Sequence, residues 1–241
     1  MKRIALLFLS LASFASAAEL VLQNGRDGYQ GTSDTTLIGH PPQNGERNYG
    51  GMEWIKVGGV LQGGLRQVAL IRFDNIAEHL PKGATVKAAY LELYKTGEPK
   101  DSGQYAKVPP KDLVISLYKF LRPWQSGKGK GSREQLGATY TSRGMGKDGM
   151  IEYWGEANQI EQGPVRDVDF LGRESARSPL KPNEMHIWMR WDITPLVKEW
   201  VKNPESNHGV MLMARSSYVG SYFASSEAED AETRPRLIIE Y

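Results

Sequence analysis

Apolar positions recur along most of this chain at a spacing of two, the period of a strand with one buried face. Ala89, Leu91 and Leu93 alternate with Tyr90, Glu92 and Tyr94, and Leu113, Ile115 and Leu117 alternate with Val114, Ser116 and Tyr118. Short runs rich in β-branched and aromatic residues predict strands at 68–73, 88–94, 113–120, 184–193, 209–214, 221–225 and 236–241. The run from Met185 to Trp191 has one wholly apolar face, while the other mixes Trp188 with His186 and Arg190. That strand is either covered on both sides or presents a binding surface. From Asn24 to Gly64 the chain is punctuated by Asn-Gly, Asp-Gly, Pro-Pro and Gly-Gly pairs, which predict turns between short strands.

One segment follows the helical period instead. Asp192 or Thr194 can cap it, Pro195 falls in its first turn, Leu196, Val197, Trp200 and Val201 line one face, and Asn203-Pro204 stops it. Many short strands with one short helix predict an all-β fold, an antiparallel jelly-roll-like β-sandwich. Residues 96–111 and 125–133 read as polar insertions, and the run Gly127-Lys128-Gly129-Lys130-Gly131 reads as a solvated mobile loop. No internal repeat or linker divides the chain, so 18–241 is expected to be one domain.

The first residues have another purpose. Met1-Lys2-Arg3 is a positive n-region, 4–14 is almost wholly apolar, and Ala15-Ser16-Ala17 is a small-x-small cleavage site, which makes 1–17 a secretory signal peptide. Its apolar run is too short to span a bilayer, which needs ~20 residues. The expected location is periplasmic or extracellular, without membrane insertion.

Charge changes the picture little. The chain of 241 residues carries 30 Lys+Arg against 28 Asp+Glu. Loss of Lys2 and Arg3 makes the mature chain formally neutral, so attraction to an anion must come from local clustering. No nucleic-acid partner is expected. With no Cys, disulfides, thiolate zinc sites, a Cys nucleophile and a lipoprotein anchor are all excluded.

Signatures of enzymes are missing: there is no G-x-S-x-G, H-E-x-x-H or P-loop, and His40, His79, His186 and His208 are scattered. No catalytic residue is assigned. Asp27, Asp34, Asn48 and Glu227 are the candidate oxygen donors for calcium, with turn capping by the aspartates as the alternative. Trp124, Tyr140, Tyr153 and Trp154 fall in polar surroundings where aromatic rings can stack on sugars, whereas Trp191 and Trp200 have core-like spacing. Arg66, Arg143, Lys128 and Lys130, in or beside Gly-rich turns, can pair with carboxylates of an acidic polymer.

The order of short motifs resembles the DNRLRE domain family, also grouped as carbohydrate-binding module family 96 and with disaggregatase-related domains. The likeness rests on Asp34-Thr35, Asn48-Tyr49-Gly50, Leu70-Ile71-Arg72-Phe73-Asp74 and Pro81-Lys82-Gly83-Ala84-Thr85-Val86. It continues through Arg122-Pro123-Trp124, Ala138-Thr139-Tyr140, Asp192-Ile193-Thr194 with Trp200, Asn207-His208-Gly209, 223–227 and 234–241. It departs at Tyr140, where the family has Trp, and at Gly155-Glu156-Ala157, one residue longer than expected.

The resemblance implies a secreted or surface β-sandwich, non-catalytic, that binds an extracellular polysaccharide, in some relatives an acidic, uronate-type one. The alternative is a structural or adhesive component of a surface assembly that meets other surface proteins, and a polysaccharide-depolymerising enzyme is a third reading. Arg72, embedded in a strand, is expected to pair with Glu227 or a neighbouring acid and hold register.

Overall fold

The computed structural model describes residues 18–39, 44–58, 67–97, 113–133, 136–155, 163–180, 184–214 and 220–241. Residues 1–17, expected to be a signal peptide, together with Arg66, His40, Glu156 and most of the 96–111 insertion lie outside them.

Fifteen strands are described: β1 (Glu19–Gln23), β2 (Thr32–Ile38), β3 (Arg47–Asn48), β4 (Trp54–Val57), β5 (Gln67–Phe73), β6 (Ala88–Lys95), β7 (Leu113–Lys119), β8 (Ser132–Arg133), β9 (Ser142–Met145), β10 (Ile151–Tyr153), β11 (Ala176–Leu180), β12 (Ile187–Asp192), β13 (Val210–Ala214), β14 (Ser221–Ala224) and β15 (Arg236–Glu240). The predicted helix is α2 (Thr194–Lys202), with Pro195 in its first turn. A further helical turn, α1 (Ile76–His79), is anchored by buried Ile76 and is too short to show a helical period in the sequence.

The strands build an antiparallel β-sandwich. The first sheet runs β1-β15-β6-β14-β4, with β12 along the opposite side of β6; the second runs β11-β7-β13-β5-β2. Alternation set the inward residues. Leu91, Leu93, Trp191, Phe223, Leu237 and Ile239 of the first sheet meet Ala69, Ile71, Ile115, Leu117 and Leu212 of the second in the principal core. Trp191 also ties the layers together by donating its indole N–H to the Ile115 carbonyl at 3.0 Å. Leu196, Val197 and Trp200 of α2 join the same core, as their helical spacing required.

The second sheet is covered on its outer face as well. Leu37, Val68, Leu70, Tyr118 and Met211 point away from the first sheet and form a smaller core with Phe120, Trp124, Ala138, Trp154 and Phe170. The described residues between 120 and 170 therefore make a third layer, which includes the β9–β10 hairpin. A sheet apolar on both faces must be packed on both.

The Gly/Lys loop differs from its expectation. Asn48, fully buried, donates from Nδ2 to the carbonyls of Ser126 (2.7 Å) and Ala138 (2.8 Å) and accepts at Oδ1 from the N–H groups of Gly50 (3.1 Å) and Gly129 (2.8 Å). Its own carbonyl accepts from Gly131 N–H at 2.9 Å, and Gly51 N–H donates to the Gly129 carbonyl at 2.9 Å. A Cβ on Gly50 or Gly51 would collide with the Ser126 or Lys128 carbonyl, so only glycine lets the two loops approach this closely. Interlocked backbone, rather than free solvated chain, is what the Gly-rich composition encodes here.

Candidate functional site

On the outer face of the first sheet, the described residues include no layer comparable to 120–170. The side chains that alternation directs there are Tyr90, Glu92 and Tyr94 of β6, Trp188, Arg190 and Asp192 of β12, and Arg236 of β15. Register then does the assembly: Tyr94 lies opposite Trp188, and Glu92 lies opposite Arg190 on one side and Arg236 on the other.

Glu92 is buried, yet it holds both arginines. Its Oε1 accepts from Nε of Arg190 and its Oε2 from Nε of Arg236, each at 2.6 Å. Arg190 adds Nη2 to Oε1 at 2.6 Å. A buried carboxylate needs such partners, and two guanidinium groups over-compensate its charge. The arginines lie on aromatic rings as well: Arg190 is 4.6 Å from the Tyr90 centroid and Arg236 is 3.9 Å from that of Trp188. Trp188 meets Tyr94 edge-on at 5.3 Å. With the Arg190 side chain 54% exposed, guanidinium donors not used by Glu92 can reach a solute.

The face continues across the sheet. Because Phe223 pairs with Lys95 and Ala224 with Trp54, one cross-strand row runs Trp188, Tyr94, Ala224, Trp54. At ~4.8 Å per strand the two tryptophan backbones stand about 14 Å apart, room for several sugars. Trp54 packs edge-on against Tyr222 at 5.3 Å and reaches Tyr49 at 6.3 Å, while Lys56 sits 4.8 Å from the Tyr222 centroid.

The aromatic residues singled out from sequence are placed differently. Trp124 and Trp154 are 3% and 0% exposed, and donate their indole N–H groups to the carbonyls of His208 (2.8 Å) and Thr139 (2.9 Å). They cover the second sheet and offer no ring face to a sugar, which corrects the stacking role expected of them. Polar, Gly-rich surroundings along the chain concealed an apolar sheet face beneath. Tyr140 is partly buried on the same core, its ring filling the space beside Gly39 and Gly163. Tyr153 is half-buried on β10, opposite Ser142. Arg143 is mostly buried, paired with Glu152 at 3.0 Å and donating to the Pro123 carbonyl at 3.2 Å, so it braces the third layer. Arg66 is outside the described residues.

Of the four candidate calcium donors, Asp34 and Glu227 lie near enough for their charges to interact, but each of the four has other partners. Asp27 occupies a left-handed turn position (φ 49°) with an exposed side chain 3.8 Å from Arg26. All the hydrogen-bonding capacity of the Asn48 amide goes to backbone groups. Asp34, on β2, accepts from Ser226 N–H at 2.6 Å inside the sandwich, and burial pushes its carboxyl up to about 7. Glu227 pairs with Lys128 at 2.9 Å, which brings a cation where a metal would need an anion. Among the described residues no three acids or histidines are grouped to hold a metal. Arg72 pairs with Asp74 through Nε (2.6 Å) and Nη2 (3.3 Å) rather than with Glu227, and donates from Nη1 to the Trp124 carbonyl at 3.1 Å. That is the neighbouring-acid form of the expected pairing.

Sequence reasoning did not nominate Tyr90, Tyr94, Trp188, Arg190, Arg236 or Glu92 as site residues. The signal was present in the polar–aromatic faces of the 88–94 and 184–193 runs; missing was the pairing of β6 with both β12 and β15. No described helix is long and apolar enough to cross a membrane. No protein-family model matches the chain, and the search of curated proteins found no match.

Proposed function

We propose that this is a secreted, non-catalytic polysaccharide-binding domain of DNRLRE type, whose ligand face is the outer surface of the first sheet. The observation that carries the reading is the buried Glu92 holding Arg190 and Arg236 against Tyr90 and Trp188 on a face over which the described residues place no further layer. Flat aromatic rings suit the C–H faces of sugars, and guanidinium groups fixed by a carboxylate offer paired N–H donors to a uronate. Fixing these side chains before the ligand arrives lowers the entropic cost of binding. The leader at 1–17 and the order of family-like motifs support export and the family assignment.

Affinity electrophoresis in gels containing polygalacturonate, alginate or neutral dextran tests the reading. Retardation by at least one polymer is expected, and Trp188→Ala should weaken it about tenfold or more while the thermal midpoint moves by only a few degrees. A folded wild-type protein retarded by none of these polymers would refute it.

A further inference from the structure

We propose that the β3–β8 ribbon, with the glycine loop leading into β8, is a charge-reading subsite of the glycan face, taking successive carboxylate or sulfate groups of an anionic polysaccharide. This rests on the polysaccharide-binding reading.

The first observation is a local arrangement that works against stability. Arg47 of β3 lies directly opposite Arg133 of β8, and like charges opposite one another on an antiparallel pair are destabilising. Lys128 and Lys130 are exposed on the adjoining loop, the Lys128 side chain to 75%. Against these four cations the nearby described acids are Glu46, 3.5 Å from Arg133, Glu227, 2.9 Å from Lys128, and Asp34, which feels the Lys128 charge but is buried, its carboxyl raised to about 7. Among the described residues a positive excess therefore remains on a ribbon only two residues long per strand.

The second observation is that the excess is held rigidly. Asn48 and the interlocked glycines fix the loop backbone, and Arg47 Nη1 donates to the Gly131 carbonyl at 2.6 Å. An anionic chain meeting this edge finds charges already in place rather than on a loop that must be ordered first.

The third is continuity with the aromatic face. The Tyr49 ring lies 3.4 Å from where a Gly131 Cβ would stand, and Tyr49 in turn reaches Trp54, the last member of the cross-strand row. A polymer lying along Trp188, Tyr94 and Trp54 is led onto Lys130 and Arg133. The sheet face supplies stacking and the ribbon supplies charge, which would give binding a salt-sensitive part and a salt-insensitive part.

The test is a Lys130→Gln/Arg133→Gln double variant beside Trp188→Ala, each run against polygalacturonate, dextran sulfate and neutral dextran at low and high salt. The double variant is expected to lose about tenfold on at least one anionic polymer, to show a flatter salt dependence, and to leave any neutral-dextran binding unchanged. Its thermal midpoint should hold or rise because the Arg47–Arg133 opposition is gone. Loss on polygalacturonate assigns carboxylate to the subsite, and loss on dextran sulfate alone assigns sulfate. Anionic binding and salt dependence equal to wild type in the double variant, with Trp188→Ala impaired, would overturn the subsite and leave the glycan face standing. A wild-type protein that binds none of the polymers overturns both.

Discussion

Asn48→Ala is expected to lower the unfolding free energy by about 3–5 kcal/mol, the largest effect of any single polar substitution outside the two cores. The side chain has no exposure, and its amide makes four hydrogen bonds to backbone groups of three separate segments. Truncation leaves the Ser126 and Ala138 carbonyls and the Gly50 and Gly129 N–H groups without the partner they were built around. Each buried orphan costs about 1–3 kcal/mol, with water entering the vacated space to recover part of it. Asn48→Asp separates the two halves of the amide: the acceptors remain, while the carboxylate repels the two carbonyls that Nδ2 had served. Urea unfolding with an unchanged m-value would measure both. A loss under about 1 kcal/mol for Asn48→Ala would show that the interlocked glycine loops hold without the clasp.

The second large effect depends on pH. Asp34 is 1% exposed, and burial is the main reason its carboxyl is raised to about 7 from an ordinary 3.8, with Glu227 adding to the rise. The hydrogen bonds from Ser226 and the charge of Lys128 act in the opposite direction and are outweighed. Below pH 3.8 both folded and unfolded chains hold the proton, and the contribution of this group is fully present. Between 3.8 and 7 the unfolded chain releases the proton while the folded one keeps it, so stability falls as pH rises through this window and levels off above 7. At about 1.4 kcal/mol per pH unit the full loss is on the order of 4 kcal/mol.

The other carboxylates give the whole protein its own slope, so the useful quantity is the difference between wild type and Asp34→Asn. Asparagine keeps an acceptor for Ser226 N–H and cannot ionise. The variant is therefore expected to gain relative to wild type from pH 4 to pH 7, and to be the more stable protein at pH 8. A wild-type-minus-variant difference that stays flat or changes in the opposite direction would place the proton elsewhere.

What could be read from the chain beforehand divides along physical lines. The seven strands expected at 68–73, 88–94, 113–120, 184–193, 209–214, 221–225 and 236–241 all have a described counterpart within a few residues. Each has a face that must be buried, and a period of two shows it directly. Strand β2, Thr-rich with Asp34 inside, and β11, with Pro179, lack that pattern and are held by pairing with β5 and β7. The third layer was not legible, because Trp124 and Trp154 sit among Gly, Ser and Arg along the chain and meet their apolar partners only in space. Nor was the clasp, since Gly50-Gly51 and Gly127 to Gly131 read as two separate turns until Asn48 joins them.

The candidate face is an intermediate case. Tyr90, Glu92 and Tyr94 were visible as one side of a strand, and His186, Trp188 and Arg190 as one side of another. Only the register between those strands turns two patterns into one surface. Several family-like motifs have structural duties: Arg72 and Asp74 pair with each other, Trp124 bonds to His208, and Asn207 donates to the Phe73 carbonyl at 2.7 Å. These residues lock one end of the sandwich together.

The pairing of β1 with β15 bears on how the protein reaches its native state. Glu19 lies beside Glu240 and Gln23 beside Arg236, and the Tyr241 N–H donates to the Ala18 carbonyl at 2.9 Å, so the first and last strands of the described chain are neighbours. Among the described residues β1 has no other partner in the sheet, and β15 also flanks β6, the strand that carries the Glu92 row. Closing a loop of more than two hundred residues must precede the contacts that reward it, which places folding toward the slow end, on the order of milliseconds to seconds. Until residues 236–240 are available, β1 stays unpaired and Glu92 has only Arg190 beside it. Arg236, the second arginine of the candidate face, is delivered by the strand that completes the sheet.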